Sequence, residues 1–202
     1  MARPVNDKKR QENRERILKE SVALFAEFGY SASTTVMIAK NAGVTSGTIF
    51  QYFSNKEELF RAAVLEPLTD IRKKAVACLK QEEKPTTLIK NMVEEQFNHI
   101  SIYTNELRLV QYVLGQRNRF SGLTQEILQN TQEWTDTIEQ VYKTGQLVGE
   151  FNTSFSPAMV SRAYISFLNG VCLTLLEGVH HPEWEGLKEH AFYLFGPIQN
   201  EE

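Results

Sequence analysis

TVMIAKNAGVTSGTIFQYF, residues 35–53, meets position by position the steric demands of two short helices joined by a tight turn. Ala39 is small enough for the helices to approach. Gly43 falls four residues later, where the turn needs positive φ and a Cβ is expected to clash. Ile38 from the first helix should meet Val44 and Ile49 from the second, and that contact turns the opposite face outward. The outer face holds Thr45, Ser46, Gly47, Thr48, Gln51 and Tyr52, a set rich in uncharged hydrogen-bonding groups and small enough to lie in a major groove. Gln51 is the candidate for base readout, because a side-chain amide can bond adenine through two atoms. Thr45 is expected to cap the second helix at an end that suits a phosphate, and Lys56 stands where it could reach the next one. The segment is therefore expected to be a helix-turn-helix.

Outward from this stretch the periodicity stays helical, and no segment alternates with the period of two that a strand requires. An amphipathic helix over about Lys8–Phe28, with Ile17, Ser21, Leu24, Phe25 and Phe28 on one stripe, precedes the motif and stops at Gly29. The second and third helices are expected over about Thr35–Ala42 and Ser46–Tyr52. A capping box of Ser54 and Glu57 should start the next helix, which runs to about Leu79 with Pro67 kinking or dividing it. Further helices are expected at about 86–103, 106–115, 122–145, 157–178 and 184–195, separated by breaks such as 81–85, Gly145, Gly149 and His180-His181-Pro182. The fold class is all-α: an N-terminal three-helix domain with the helix-turn-helix at 1–54 and a larger helical domain at 55–202.

Composition sets the outer limits. A chain of 202 residues that is 42% apolar and 23% charged can bury a sizeable core and is too rich in large hydrophobes for disorder. No run is long and apolar enough for a membrane span, and the polar N-terminus is unlike a signal peptide, so a cytoplasmic protein with no membrane partner is expected. Cys78 and Cys172 read as reduced core thiols. Net charge is only −3, but residues 1–19 hold seven Lys/Arg (Arg3, Lys8, Lys9, Arg10, Arg14, Arg16 and Lys19) against three acids. The basic excess sits beside the helix-turn-helix, as a phosphate-binding arm would.

Arg16-Ile17-Leu18, Leu24-Phe25, Gly29-Tyr30, Thr34-Thr35, Ile38-Ala39 and AGVTSGTIFQYFSNKEELF over 42–60 together resemble the N-terminal domain of tetracycline-repressor (TetR) family regulators. The resemblance covers about residues 14–60. It implies a fold of nine or ten helices, a homodimer on double-stranded operator DNA, and a divergent C-terminal domain whose small-molecule ligand releases the DNA. The family's DNA-contacting positions correspond here to Thr34, Thr35, Thr45, Ser46, Thr48, Phe50, Gln51, Tyr52 and Lys56. Two residues depart from the usual pattern: Ser46 stands where a lysine is frequent and Phe50 where a tyrosine is, which removes two potential phosphate contacts. Phe50 can be read as packing inward instead.

The C-terminal part carries no catalytic or metal signature. Glu95 and His99 share a helix face but lack a third ligand and read as an ordinary polar pair; no enzyme and no cofactor is expected. Aromatic and apolar residues of the central helices, Phe97, Ile100, Tyr103, Leu107, Tyr112, Leu114, Trp134, Ile138 and Phe167, are candidate effector contacts. Arg108, Arg117 and Arg119 could meet an anionic head group, and NELRLVQYVLGQRN at 105–118 loosely resembles acyl-CoA-binding regulators of fatty-acid metabolism. Met159, Ala163, Tyr164, Phe167, Val171 and Leu175, with Trp184, Leu187, Ala191, Leu194 and Phe195, could pair the last two long helices with their symmetry mates or serve as an intra-chain core. A regulator released by a small apolar or amphipathic ligand is the leading reading. An architectural or division-control DNA-binding protein without an inducer stays open beside it.

Overall fold

The computed structural model describes residues 4–174 and 181–198, with side chains from residue 7. Expectations that fall on Arg3, Leu175 and His180 lie outside the described residues. Among those described, nine helices follow one another: α1 (Pro4–Ala32), α2 (Thr35–Asn41), α3 (Ser46–Ile49), α4 (Lys56–Leu79), α5 (Pro85–Ile102), α6 (Thr104–Gly115), α7 (Ser121–Leu147), α8 (Pro157–Thr174) and α9 (Trp184–Tyr193). No strand is present among them; Phe151 and Pro197 form an isolated bridge. No helix among the described residues is long and apolar enough to cross a membrane.

Helix α1 is interrupted at Gly29, whose φ of 74° and ψ of 173° lie in a region only glycine enters freely. Helix α4 begins one residue later than the expected capping box. The Asn55 side chain accepts the Glu58 N–H at 2.8 Å, and Glu58 reaches back to accept the Ser54 N–H at 2.6 Å. Asparagine caps as well as serine does, so the cap moves to Asn55, and Glu58 returns to the residue before the cap and not to the cap itself. The helix then continues through Pro67 as one element, so of the expected kink or division the division does not occur.

Apolar side chains form two clusters. One joins Ile17, Phe25, Ile38, Ile49, Phe53 and the first half of α4 to Leu109 and Val113 of α6 and Ile127 of α7. The other joins the second half of α4 to Phe97, Trp134, Ile138, Tyr142, Tyr164, Val171, Trp184 and Phe195. Helices α4 and α7 each run through both clusters, and α4 follows directly on the N-terminal helices. Cys172 is buried and Cys78 half-buried, both as free thiols, and burial pushes each up to about 11, where they stay protonated.

Candidate DNA-binding surface and effector cavity

Three observations fix the helix-turn-helix. Thr34 caps α2 by accepting the Met37 N–H at 3.1 Å, and Thr45 caps α3 by accepting the Thr48 N–H at 3.2 Å. Gly43 makes the turn at φ +63°. A Cβ built on Gly43 would meet nothing within 4 Å, so the requirement is the left-handed backbone alone and not the clash that the sequence suggested. Ile38, Ala39, Ala42 and Ile49 are buried, and Val44 is half-buried behind them. Helix α3 is only one turn long; Gln51 and Tyr52 follow it in tighter i→i−3 bonds, from Gln51 N–H to the Thr48 carbonyl at 3.2 Å and from Tyr52 N–H to the Ile49 carbonyl at 3.0 Å.

With that inner face packed, Thr34, Thr45, Gly47 and Gln51 are exposed, and Thr35, Ser46, Thr48 and Tyr52 are half-buried. Phe50 is 49% exposed, so it does not pack inward; it stands beside Gln51 on the outer surface. Tyr52 has the Arg10 guanidinium 5.9 Å above its ring. Lys56 is drawn back: its ammonium lies 4.5 Å from the Tyr30 ring centre and 3.5 Å from the Ser31 carbonyl. Burial and then the neighbouring Arg119 lower its pKa.

The basic arm divides in two. Arg16 donates from Nε to the Ala42 carbonyl at 2.7 Å, fastening α1 to the end of α2, and Arg14 holds Glu66 through both guanidinium nitrogens at 2.8 and 2.5 Å. These two are structural. Lys8, Lys9, Arg10 and Lys19 remain exposed along α1, which places the free positive charge on a helix and not on an extended arm.

The effector candidates separate as well. Ile100, Leu107 and Trp134 line a largely closed cavity of about 40 Å³ between α4, α5, α6, α7 and α8. Phe97 and Ile138 belong to the same core, with Phe167 packed on its edge. Arg108 is half-buried on α6. Tyr103 sits apart in an open groove beside Arg14 and Lys74. Tyr112 stands at the junction with α1: its hydroxyl accepts the Tyr30 N–H at 3.2 Å, and its ring leans on Phe60 and Phe120. Arg119, expected near an anionic head group, instead donates to the Ser31 hydroxyl at 2.7 Å.

Sequence reasoning passed over the polar members of the cavity. Arg72, Gln96, His99, Gln111, Asn169 and Cys172 all line it. Arg72 could have been found, since it occupies the same stripe of α4 as Leu68, Ala75 and Leu79, where an apolar residue belongs. The Glu95 carboxylate lies 3.7 Å from His99 Nε2, and no group of three or more metal-ligating side chains occurs among the described residues.

This arrangement of capped turn, outward polar helix and separate helical bundle is that of a helix-turn-helix regulator. Residues 17–63 match the family described as "Bacterial regulatory proteins, tetR family". The chain is 23% identical over 161 residues, 80% of each protein, to the HTH-type transcriptional regulator UidR of Escherichia coli (strain K12). Its fold is also that of solved structures, of which two are informative. A transcriptional regulator from Saccharomonospora viridis in complex with choline superposes with a TM-score of 0.76 at 20% identity, covering 94% of this chain and 100% of that one. The FadR regulator of Bacillus subtilis in complex with stearoyl-CoA superposes with a TM-score of 0.71 at 21% identity, covering 92% and 99%. Residues 17–63 thus carry a DNA-binding segment of the TetR family, and the chain as a whole is similar to TetR-type transcriptional regulators.

Proposed function

We propose that the chain is a repressor that binds a palindromic operator as a homodimer and is released when a small apolar or amphipathic molecule, a fatty acyl group among the candidates, enters the C-terminal bundle. The observation that carries this reading is the pairing of an outward, unshielded Gln51 with a rigid inner face. Residues 1–54 form the reading unit, with Thr34, Thr35, Thr45, Ser46, Thr48, Phe50, Gln51 and Tyr52 toward the duplex. Residues 55–202 hold the effector and the partner protomer. Such a protein acts where the chromosome is, in the cytoplasm.

Coupling runs through α4 and α6. Both line the cavity, at Leu68, Ile71 and Arg72 on α4 and at Leu107, Val110 and Gln111 on α6, and both pack on α1. A ligand that forces the bundle helices apart therefore moves α1 and the reading head together, and two reading heads set about one DNA turn apart lose their spacing. Release by a factor of about a hundred needs a difference of only about 3 kcal/mol in ligand affinity between the two states.

The test is selection of bound fragments from random duplex at low ionic strength, followed by a salt titration of the selected site. The reading expects a palindromic site and an affinity that falls steeply with salt. Retention of no duplex at low salt would overturn it.

A further inference from the structure

Arg72 is the anomaly of the C-terminal bundle. It is partly exposed as a whole residue, yet its Nε is sealed from solvent without a hydrogen-bond partner. Its guanidinium lies 4.2 Å over the Trp134 ring, and no carboxylate faces it among the described residues. Burial pushes its pKa down to about 10, which leaves it charged at neutral pH. A guanidinium whose Nε is sealed from water without a partner, and which meets no carboxylate, carries a desolvation cost, and an apolar residue at the same position of the α4 stripe would avoid that cost.

The surroundings share the deficit. Gln96 Nε2 and Trp134 Nε1 are donors sealed from solvent with no partner, and both residues line the same cavity as Arg72. The wall beyond them is apolar, formed by Ile71, Ile100, Val110 and Leu168 among others. One cation, unmet donors and an aliphatic wall describe the complement of a single planar anion on an apolar body.

We propose that the effector is a carboxylic acid whose carboxylate enters first and seats on Arg72, Gln96 and Trp134, with its hydrocarbon body along the apolar wall. This rests on the effector-cavity reading above and narrows it: the charged end of the ligand goes in and does not stay at the mouth. An acyl thioester brings no charge to the buried end, so a free acid is preferred over its coenzyme A ester. A single positive charge selects a monoanion. The cavity of about 40 Å³ takes a carboxylate but not a chain, since sites for whole ligands span about 300 Å³ or more; seating the body therefore requires the helices to part.

The test uses the full dimeric protein and the straight-chain acids from butanoate to dodecanoate together with phenylpropionate, each matched by its alcohol, its amide and its coenzyme A ester. Binding is read by Trp fluorescence and by thermal shift, and operator release is read separately by anisotropy. At least one acid is expected to bind roughly tenfold or more tightly than its alcohol, amide and ester, and Arg72→Gln removes that preference. Trp134→Phe keeps an aromatic face and loses the N–H, so it weakens the acid more than the alcohol. Without ligand, Arg72→Gln is expected to melt no lower than the parent, because an unpaired buried charge is gone; a purely structural arginine would make the variant less stable and leave the preference in place, which overturns the proposal. Equal binding of acid and alcohol across the whole series, or preference for the esters, overturns it too. An acid that binds through Arg72 without releasing the operator sustains the anion seat and removes the induction reading; release by ligands indifferent to Arg72 does the reverse.

Discussion

The Tyr112 hydroxyl accepts the Tyr30 backbone N–H at 3.2 Å, so a side chain of α6 supplies a partner that α1 lost when Gly29 broke its helix. The fit is close: a Cβ on Gly29 would stand 3.2 Å from the Tyr112 ring. Lys56 and Arg119 approach the Tyr30 ring as well, at 4.5 and 5.6 Å. One aromatic residue thus gathers α1, the start of α4 and the α6–α7 turn, and it does so a few residues from both the reading head and the cavity wall. Tyr112→Phe is expected to lower stability by about 1 kcal/mol through the lost hydrogen bond and to weaken operator binding severalfold. Gly29→Ala should do more, since its φ is strained for any side chain and its methyl meets the ring. Chemical unfolding and operator anisotropy of both variants check this; operator affinity equal to the parent's in both would show that the junction does not hold the reading head.

Gln51 and Lys56 should separate sequence reading from charge. Gln51→Ala is expected to relax preference at one base pair of each half-site, by about 1–3 kcal/mol of discrimination. Lys56→Ala should weaken all duplexes alike and reduce the salt slope by about one. Binding-site selection and salt titration of each variant provide the readouts. A Lys56→Ala protein with an unchanged slope would mean that the ammonium stays on the Tyr30 ring when DNA binds.

Gly43 isolates a backbone effect, because nothing stands within 4 Å of its missing Cβ. Gly43→Ala is expected to lose about 1–2 kcal/mol from the left-handed conformation alone, and Gly43→Asn less, since asparagine tolerates that region. Urea unfolding of the two variants measures the difference. Equal losses for the two would point to a steric cause instead.

What the sequence could disclose follows from how local each feature is. The helix-turn-helix was legible because its demands fall within a few residues of one another: a small residue at 39, a left-handed glycine at 43 and apolar partners at 38, 44 and 49. Helix boundaries elsewhere followed from caps and breaks of the same short range. The role of Arg14 and Arg16 was not legible, because Glu66 and the Ala42 carbonyl are far away in the chain, and a basic run looks the same whether it is solvated or paired. Tyr112 and Trp134 both read as aromatics at helical spacing; only packing assigns one to the junction and the other to the cavity. Phe50 was ambiguous for a related reason, since the one-turn length of α3 decides whether position 50 turns in or out.

His99 gives the bundle a pH response. Burial is the main cause that lowers its pKa from 6.5; Glu95 on α5 opposes this, and Lys74 and Arg72 on α4 add to it. The folded state therefore holds the imidazole neutral while the unfolded chain takes up a proton sooner. Stability is full above about pH 6.5 and is lost as the pH falls through the lower folded value. His99→Asn should flatten the fall in melting temperature between about pH 7.5 and 5.5, above the range where carboxylates titrate. A parent protein whose melting temperature rises over that interval would show that Glu95 prevails over burial.

The partner protomer is expected on a face of α8 rotated from the one first read in the sequence. Tyr164 and Val171 are buried within the chain, as are Trp184, Ala191 and Phe195 of the following segment, so these belong to the intra-chain core. Met159 and Leu173 are 47% and 70% exposed, and between them Ala163, Ser166 and Gly170 are exposed at helical spacing. Small residues flanked by large apolar ones let two helices approach closely while burying their ends. Gly170 has nothing within 4 Å of a Cβ, so Gly170→Arg leaves the protomer undisturbed yet puts a charge and a long side chain into a two-fold contact, where each copy meets the other. The variant is expected to sediment as a folded monomer with the parent's helical content and to lose most of its operator affinity, because a single reading head covers only one half-site. A Gly170→Arg protein that remains a dimer on its operator would move the interface off this face of α8.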